Sequence, residues 1–407
     1  MCKDNARHTS LSVGVRSGVT RRTTLKGIAG VSAAGAASLG FPAILRAQDT
    51  VKIGFLTALT GLETILGETQ LNCFKLGVEE INAQGGAGGR KIEYLVEDDQ
   101  TTTKGVIEKA RKLIFEDKVD CIIGLIASLE HVAARSVTTP AKQLLIYTTY
   151  YEGEVCEKYF AATGQVPNQQ IDPMTAWLTK NVGKSVYILG SDYIWPRRSA
   201  VAIEKAFEAN GGKVLGVDFF PFGTQDFGPA FDKVKAAKPD MVWVMIAGAD
   251  GVTALKQYRS FGMEPQLVSN GLDEVYSFAH PDLAAGSISN QAYFMGIDTP
   301  RNQEFIKAYQ TAFGEGKPIN AIGEAAYDAV WLYALAVEKA GSTEDDKVIA
   351  ALSQVEFDAP QGHVNMSAAN NHMRANSILA RAKPDGMWET IEHFGQIDPD
   401  IPDCKLG

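Results

Sequence analysis

Gly190-Ser191-Asp192-Tyr193-Ile194-Trp195-Pro196-Arg197-Arg198 follows an apolar run, Ser185-Val186-Tyr187-Ile188-Leu189, and leads into a stretch of helical character over residues 196–210. The apolar run is short and bounded by turn residues, the pattern of a parallel strand buried on both faces. A strand that feeds a helix through a tight turn puts that turn at the carboxyl edge of an open α/β sheet, where such sheets bind ligands. Two readings of the turn stand side by side. It is a capped helix start whose aromatics pack locally, or a rim that offers Tyr193 to a small molecule. Residue types alone favour the first.

The same alternation surrounds this stretch. Upstream, residues 51–56 form a β-type run and 57–68 a Thr/Gly-rich loop. Phe74, Leu76, Val78 and Ile81 then line a helix that stops at the glycines of residues 85–89. Residues 91–97 alternate like a strand, and Val106, Ala110, Leu113 and Ile114 stripe the next helix. Strands at 121–125 and 144–147 flank a helix at 131–138. Downstream, Asp172-Pro173 reads as a helix start. Strands at 213–219, 241–246 and 265–268 alternate with helices at 227–236 and 249–261. Residues 288–294 read as a crossing strand. Helices at 301–313, 320–340 and 343–352 follow, then a hairpin of 375–382 with 387–393 around Pro384-Asp385-Gly386.

Strands alternating with helices specify parallel, doubly wound sheets. There are two such series, so the expected fold class is α/β with two lobes. The helices after residue 300 have no sheet of their own and must return to an earlier lobe. The chain therefore crosses between lobes several times, which makes a hinge and a cleft. The expected division is 1–47 for an export signal, 50–163 plus 295–357 for the first lobe, 166–292 plus 360–393 for the second, and 394–407 for a C-terminal tail.

Composition sets the class. The chain has 407 residues, 45% hydrophobic and 21% charged, which are globular values, and its length favours two domains. The formal net charge is −9, yet the first 47 residues hold seven Lys/Arg and one acid; the remainder carries 32 basic and 47 acidic groups, a net of −15. Such a surface repels phosphate backbones and excludes nucleic acid as a partner class. Thr20-Arg21-Arg22-Thr23-Thr24-Leu25-Lys26 resembles the twin-arginine export pattern, with Thr24 where Phe is common, so the general secretion route stays open. Residues 28–45 are rich in Ala and Gly, too weakly apolar to anchor a helix in lipid. Ala47 before Gln48 offers a small residue for cleavage. The expected location is the periplasm.

Four cysteines lie beyond residue 47. Cys73 sits on an apolar helix face and Cys121 opens a buried strand, as inert core residues do. Cys156 and Cys404 stand in polar, loop-like surroundings and are the candidate disulfide, tying down the tail in a compartment that permits it. No zinc spacing, Gly-x-Ser-x-Gly elbow or His-Glu-x-x-His occurs. Gly183-Lys184-Ser185 leads into a strand and not a helix, unlike a phosphate loop. His363 and His372 lack a third ligand and read as polar surface. The expectation is a non-enzyme without cofactor or metal.

Several motifs, in this order, resemble periplasmic substrate-binding proteins of ABC transporters, in the branch that binds branched-chain amino acids, urea and short-chain amides (the type I periplasmic binding fold). They are Val51-Lys52-Ile53-Gly54 with Thr60-Gly61, Glu80-Ile81-Asn82-Ala83-Gln84-Gly85-Gly86 with Gly89-Arg90-Lys91-Ile92, Tyr151-Glu152-Gly153, Pro167-Asn168-Gln169-Gln170, the opening stretch, Ala236-Ala237-Lys238-Pro239-Asp240 and Ile297-Asp298-Thr299-Pro300. The resemblance spans residues 50–393. It implies two lobes joined by a three-stranded hinge, a small-molecule ligand that stabilises closure, a monomer, and delivery to an ABC permease in the inner membrane. A ligand sensor acting on a receptor or regulator through the same cleft is the alternative.

Residue by residue, Ser128 matches a first-lobe serine whose hydroxyl and neighbouring N–H groups hold a ligand carbonyl or carboxylate. Thr149 matches a polar contact, and Tyr193 the aromatic that the second lobe closes over the ligand. Tyr150, Tyr151 and Asn168 match wall or hinge positions, and Asp192 and Trp195 could face the cleft. Amino-acid binders place an acid after a second-lobe strand to meet the substrate ammonium. Here Gly271 stands there, with Asp273 as a substitute if the loop shifts and Asp250 at another strand end. A buried ammonium without a carboxylate is costly, so a neutral amide- or urea-like ligand is the expectation.

Overall fold

The computed structural model describes residues 50–406; the expected export signal and its cleavage site lie outside them. In chain order the first elements are β1 (Val51–Thr57), α1 (Thr64–Ala83), β2 (Ile92–Asp98), α2 (Thr103–Arg111), β3 (Cys121–Gly124), α3 (Ser128–Ala141), β4 (Leu145–Tyr147) and β5 (Phe160–Ala162). They form a five-stranded parallel sheet of order β2-β1-β3-β4-β5. Alternate residues feed opposite faces. Ile53, Phe55 and Ile123 join α1 in one core, and Leu56, Ile122 and Leu145 join α2 and α3 in another.

The second series is α4 (Pro167–Asn181), β6 (Ser185–Ser191), α5 (Ile194–Ala209), β7 (Lys213–Phe220), α6 (Gly228–Ala237), β8 (Met241–Met245), α7 (Gly248–Ser260), β9 (Gln266–Ser269), α8 (Glu274–Ala279), α9 (Pro281–Ala284) and β10 (Ile288–Gln291). Its strands run parallel in the order β7-β6-β8-β9-β10. Val186, Ile188 and Trp243 pack under α4 and α5, while Leu189, Val242 and Leu267 pack under α6 and α7.

The chain then returns. α10 (Pro300–Phe313), α11 (Ala321–Ala340) and α12 (Asp345–Leu352) belong with the first lobe, α11 lying along α1. The last strands are β11 (Glu356–Ala359), β12 (Gly362–Met366), β13 (Met373–Ala382) and β14 (Trp388–Ile397), antiparallel to one another and attached through β13 to β10. Met373 and Ala375 lie in the first lobe's core, Ile378 and Ala380 in the second's, so β13 runs through both. Residues 163–166 and 292–299 make the other crossings.

Three local expectations change. α4 starts at Pro167 and not at Asp172, because Pro167 takes the first turn and Gln169 Oε1 accepts the Val166 N–H at 3.0 Å. The β11–β12 pair appears where no strand was expected, and Val364 and Met366 add to the first lobe's core although 360–393 was assigned to the second. His372 is fully buried and not surface. Its Nδ1 faces Asn370 O at 2.6 Å and its Nε2 faces Tyr151 Oη at 2.5 Å. Burial pushes the imidazole down to about 4, so it is neutral at pH 7.

Side-chain amides hold the crossings. Gln169 Nε2 donates to Met373 O (2.9 Å) and Ile397 O (2.8 Å), Gln165 Nε2 to Asn376 O (2.9 Å), and Gln170 Nε2 to Asn270 O (2.8 Å) and Asn290 O (3.0 Å). The tail beyond β14 turns back to the first lobe. Asn168 brackets it, donating to Asp398 O at 2.8 Å and accepting from Asp400 N at 2.9 Å. Ile401 enters the first lobe's core, and Cys404 is disulfide-bonded to Cys156 across 248 residues. Cys73 and Cys121 are free and buried.

Opening this bridge releases a very long loop. Replacing Cys156 and Cys404 together by Ser is expected to lower unfolding free energy by about 2–4 kcal/mol. Denaturant melts of the variant and of the reduced parent should coincide and fall below the oxidised parent.

Candidate functional site

A cavity lies between the lobes, at the carboxyl edges of both sheets. From the first lobe come Glu63 and Leu66 after β1, Ile126 and Ser128 after β3, Thr149 and Tyr150 after β4, and Ile322 at the start of α11. From the second come Tyr193 and Trp195 after β6, the β8 end with Ala247, and Gly271, Leu272 and Tyr276 after β9. The space between these walls is ≈ 620 Å³. The lobes meet closely around it: a Cβ on Gly248 would stand 2.4 Å from Leu62 O.

Ser128, Thr149, Tyr150 and Tyr193, named from the sequence, share this cavity. Their hydrogen bonds set its polarity. Ser128 Oγ lies 2.6 Å from Glu152 Oε2. Burial alone would raise the Glu152 carboxyl, but the His131 imidazole, with Nε2 3.3 Å from Oε1, and the Ser128 hydrogen bond outweigh it and hold the group below the usual carboxylate range. An ionised carboxylate only accepts, so the Ser128 proton points at Glu152 and its lone pairs are left for the cavity. Thr149 Oγ1 likewise donates to Leu125 O at 2.9 Å. The N–H groups of Ile126 and Ala127 donate to Glu130 Oε2 at 2.7 and 3.0 Å. The hydroxyl read as a donor to ligand is thus committed inside the protein. The remaining donors of the helix start are the Ser128 and Leu129 amides.

Tyr193 is half-buried and packs on Phe222 and Trp195, with ring centroids 5.3 and 6.3 Å away. It also lines an outer recess with His131, Arg135 and Arg197, so its ring separates the inner cavity from the cleft mouth. Tyr150 packs on Trp195 at 5.2 Å. Asn168 and Asp273 are not on the wall. Asn168 holds the tail, as above. Asp273 caps α8 through Val275 N at 3.0 Å and accepts from Asn320 Nδ2 at 3.0 Å, the cap of α11, which joins the two lobes. Asp250 accepts from Gly223 N, and exposed Asp192 pairs with Arg197 at 2.6 Å. Arg198 pairs across the cleft with Glu154 at 3.3 Å, both exposed.

Glu63 is the wall residue that the sequence reading passed over, placed then in a Thr/Gly-rich loop. It follows β1 at the carboxyl edge, the rule that singled out Tyr193, and that position was the available signal. Glu63 is 1% exposed, its carboxyl lies in hydrogen-bonding reach of Glu130, and its Oε2 has no partner. Burial, reinforced by Asp99, pushes it up to about 8. Burial likewise takes Asp99 to about 6 and Asp273 to about 7. Among the described residues no group of acids, histidines and cysteines is arranged to hold a metal ion, and no helix is long and apolar enough to cross a membrane.

The family profile described as periplasmic binding protein matches residues 50–387. The leucine-, isoleucine-, valine-, threonine- and alanine-binding protein of Pseudomonas aeruginosa is 24% identical over 332 residues, covering 80% of this chain and 88% of its own. An ABC transporter substrate-binding protein from Sphaerobacter thermophilus superposes with a TM-score of 0.78 at 26% identity, over 86% of this chain and 99% of its own. A solute-binding protein from Rhodopseudomonas palustris BisB5, solved with 3,4-dihydroxybenzoic acid, gives a TM-score of 0.78 at 25% identity, over 87% and 99%.

Two outcomes are expected. Tyr193→Ala should weaken ligand binding at least about tenfold by opening the cavity to the cleft mouth, with the ligand-free melting temperature little changed; loss of the fold with affinity intact would mean local packing only. Second, the carboxyls of Glu63, Asp99 and Asp273 are raised in the fold, so the stability they lend is complete below their unfolded values. It is lost as pH rises through about 6 to 8. Ligand-free unfolding free energy should fall between about pH 4 and 8 by up to about 1.4 kcal/mol per unit per group, levelling for Asp99 near 6, for Asp273 near 7 and for Glu63 near 8, and Asp273→Asn should flatten the part of that slope below about pH 7.

Proposed function

The chain belongs to the periplasmic binding protein family, and from that membership we propose that it is the periplasmic solute-binding component of an ABC importer, capturing a small amphiphilic solute between its lobes and handing it to a permease. The ligand class is an amino acid with an apolar side chain, of the leucine, isoleucine and valine kind. The observation behind this is the wall. Leu66, Ile126, Ile246, Leu255, Leu272 and Ile322 surround the space with Tyr and Trp rings, alongside a few polar groups such as Glu63, Ser128 and Thr149. Urea has no apolar body to use such walls. Burying a leucine-sized side chain there contributes about 1.5–3 kcal/mol. The names of curated relatives support the same class.

The sequence argument for a neutral amide rested on Gly271. A Cβ at 271 would sit 2.8 Å from Tyr150 Oη and 3.2 Å from Trp195, so those rings fill the place an acid would need. The acid on the wall is Glu63 instead, which removes the reason to favour a neutral ligand. Residues 1–47 read as an export signal, removed near Ala47. Aromatic acids are the second reading, carried by the aromatic walls and by the relative solved with 3,4-dihydroxybenzoic acid.

A calorimetric titration with leucine, isoleucine, valine, urea, acetamide and 4-hydroxybenzoate is the test. Micromolar or tighter binding of the branched amino acids, with the others at least about tenfold weaker, is expected. Preference for urea or acetamide would overturn the ligand class, and turnover of a bound solute would overturn the assignment as a binding protein.

A further inference from the structure

We propose that Glu63 receives the ammonium group of the ligand, taking from the first lobe the part that a carboxylate after a second-lobe strand would play, and that it releases its proton to solvent as it does so. This rests on reading the ligand as an amino acid.

Space, hydrogen bonding and charge lead to the same residue. The second-lobe position is closed to a carboxylate, because Tyr150 and Trp195 fill the volume beside Gly271. Asp273 has both oxygens engaged, one by Val275 N and one by Asn320 Nδ2. Asp250 is held by Gly223 N and is absent from the cavity wall. Glu63 is on that wall, buried, with Oε2 unpartnered. A buried polar atom without a partner is costly, and a ligand donor would remove that cost.

The surroundings suit a donor-rich cation. Ser128 and Thr149 have spent their protons on Glu152 and Leu125 O, so two hydroxyl oxygens join the Glu63 carboxyl as acceptors. An ammonium carries three donors and no acceptor. No Lys or Arg lines the cavity. The titratable groups that face Glu63 are Asp99 from the turn after β2, Glu130 from α3, Tyr147 and Tyr150 from β4 and its end, Tyr193 from the start of α5 and Tyr276 from α8. None is cationic. A carboxylate there lacks a counterion until the ligand brings one, so before binding Glu63 keeps its proton. On binding, the Glu63 O–H bond breaks, the proton leaves to buffer, and the carboxylate pairs with an ammonium that keeps all three of its own. The ligand carboxylate is then left to the Ser128 and Leu129 amides and the tyrosine hydroxyls.

Leucine titrated into the mature protein at pH 6.5, in buffers of different ionisation enthalpy, counts the protons. About one released per leucine is expected, and affinity should climb towards pH 8 and then level. Glu63→Gln, nearly isosteric with the protonated acid, should keep the melting temperature, lose leucine affinity at least about thirtyfold and release almost none. Leucine binding without proton release, or unchanged affinity in Glu63→Gln, would overturn the role of Glu63 and leave the ligand class standing. If the variant does not fold, the proton count on the unaltered protein decides. No binding of leucine, isoleucine or valine to that protein would overturn the ligand class and this assignment together.

Discussion

A chain that crosses between two sheets leaves one ladder before it joins the next, and its backbone groups still need partners. Here side-chain amides supply them. Gln165, Gln169 and Gln170, at the head of α4, donate to carbonyls of β13, of β14 and of residues beside β9 and β10. The lobes can be separate cores with separate sheets because these donors satisfy the strands between them. Both carboxyl edges then face each other, and the cavity follows from that arrangement.

Charge at the cavity is one-sided. Glu63, Asp99, Glu130 and Asp273 are all buried and all raised, chiefly by loss of water. Glu152 behaves differently only because Ser128 and His131 bond to it. Burial and hydrogen bonding thus split five carboxyls into four raised above the usual carboxylate range and one held below it. The ionised one orients Ser128.

Much of this was legible in the sequence. Period and punctuation located the strands at 121–125, 185–189 and 241–246 and the three late helices, since those segments are buried on both faces or strongly striped. The return of those helices implied the crossings. The resemblance named Ser128, Thr149, Tyr150 and Tyr193, which share the cavity wall. It also named Asn168 and Asp273, which lie off that wall because their partners, the tail and Asn320, are remote in sequence. Glu63 was hidden because an acid in a Thr/Gly loop looks like surface until α3 and the second lobe cover it. His372 was hidden likewise, since only the fold brings Tyr151 to it. The hairpin of β11 and β12 has short strands with exposed positions, a pattern that ordinary loops share.

The Cys156–Cys404 bridge has a bearing on how the molecule is made. Its two sulfurs are separated by the whole second lobe, the returning helices and the last sheet strands, 248 residues in all. The bond therefore cannot form while that span is still being synthesised. It can close only after the tail has found its groove against Asn168 and Ile401 has entered the first core. The oxidised form is in that sense a covalent receipt for completed assembly, and an early-interrupted or mispacked chain would be marked by a free thiol at position 156.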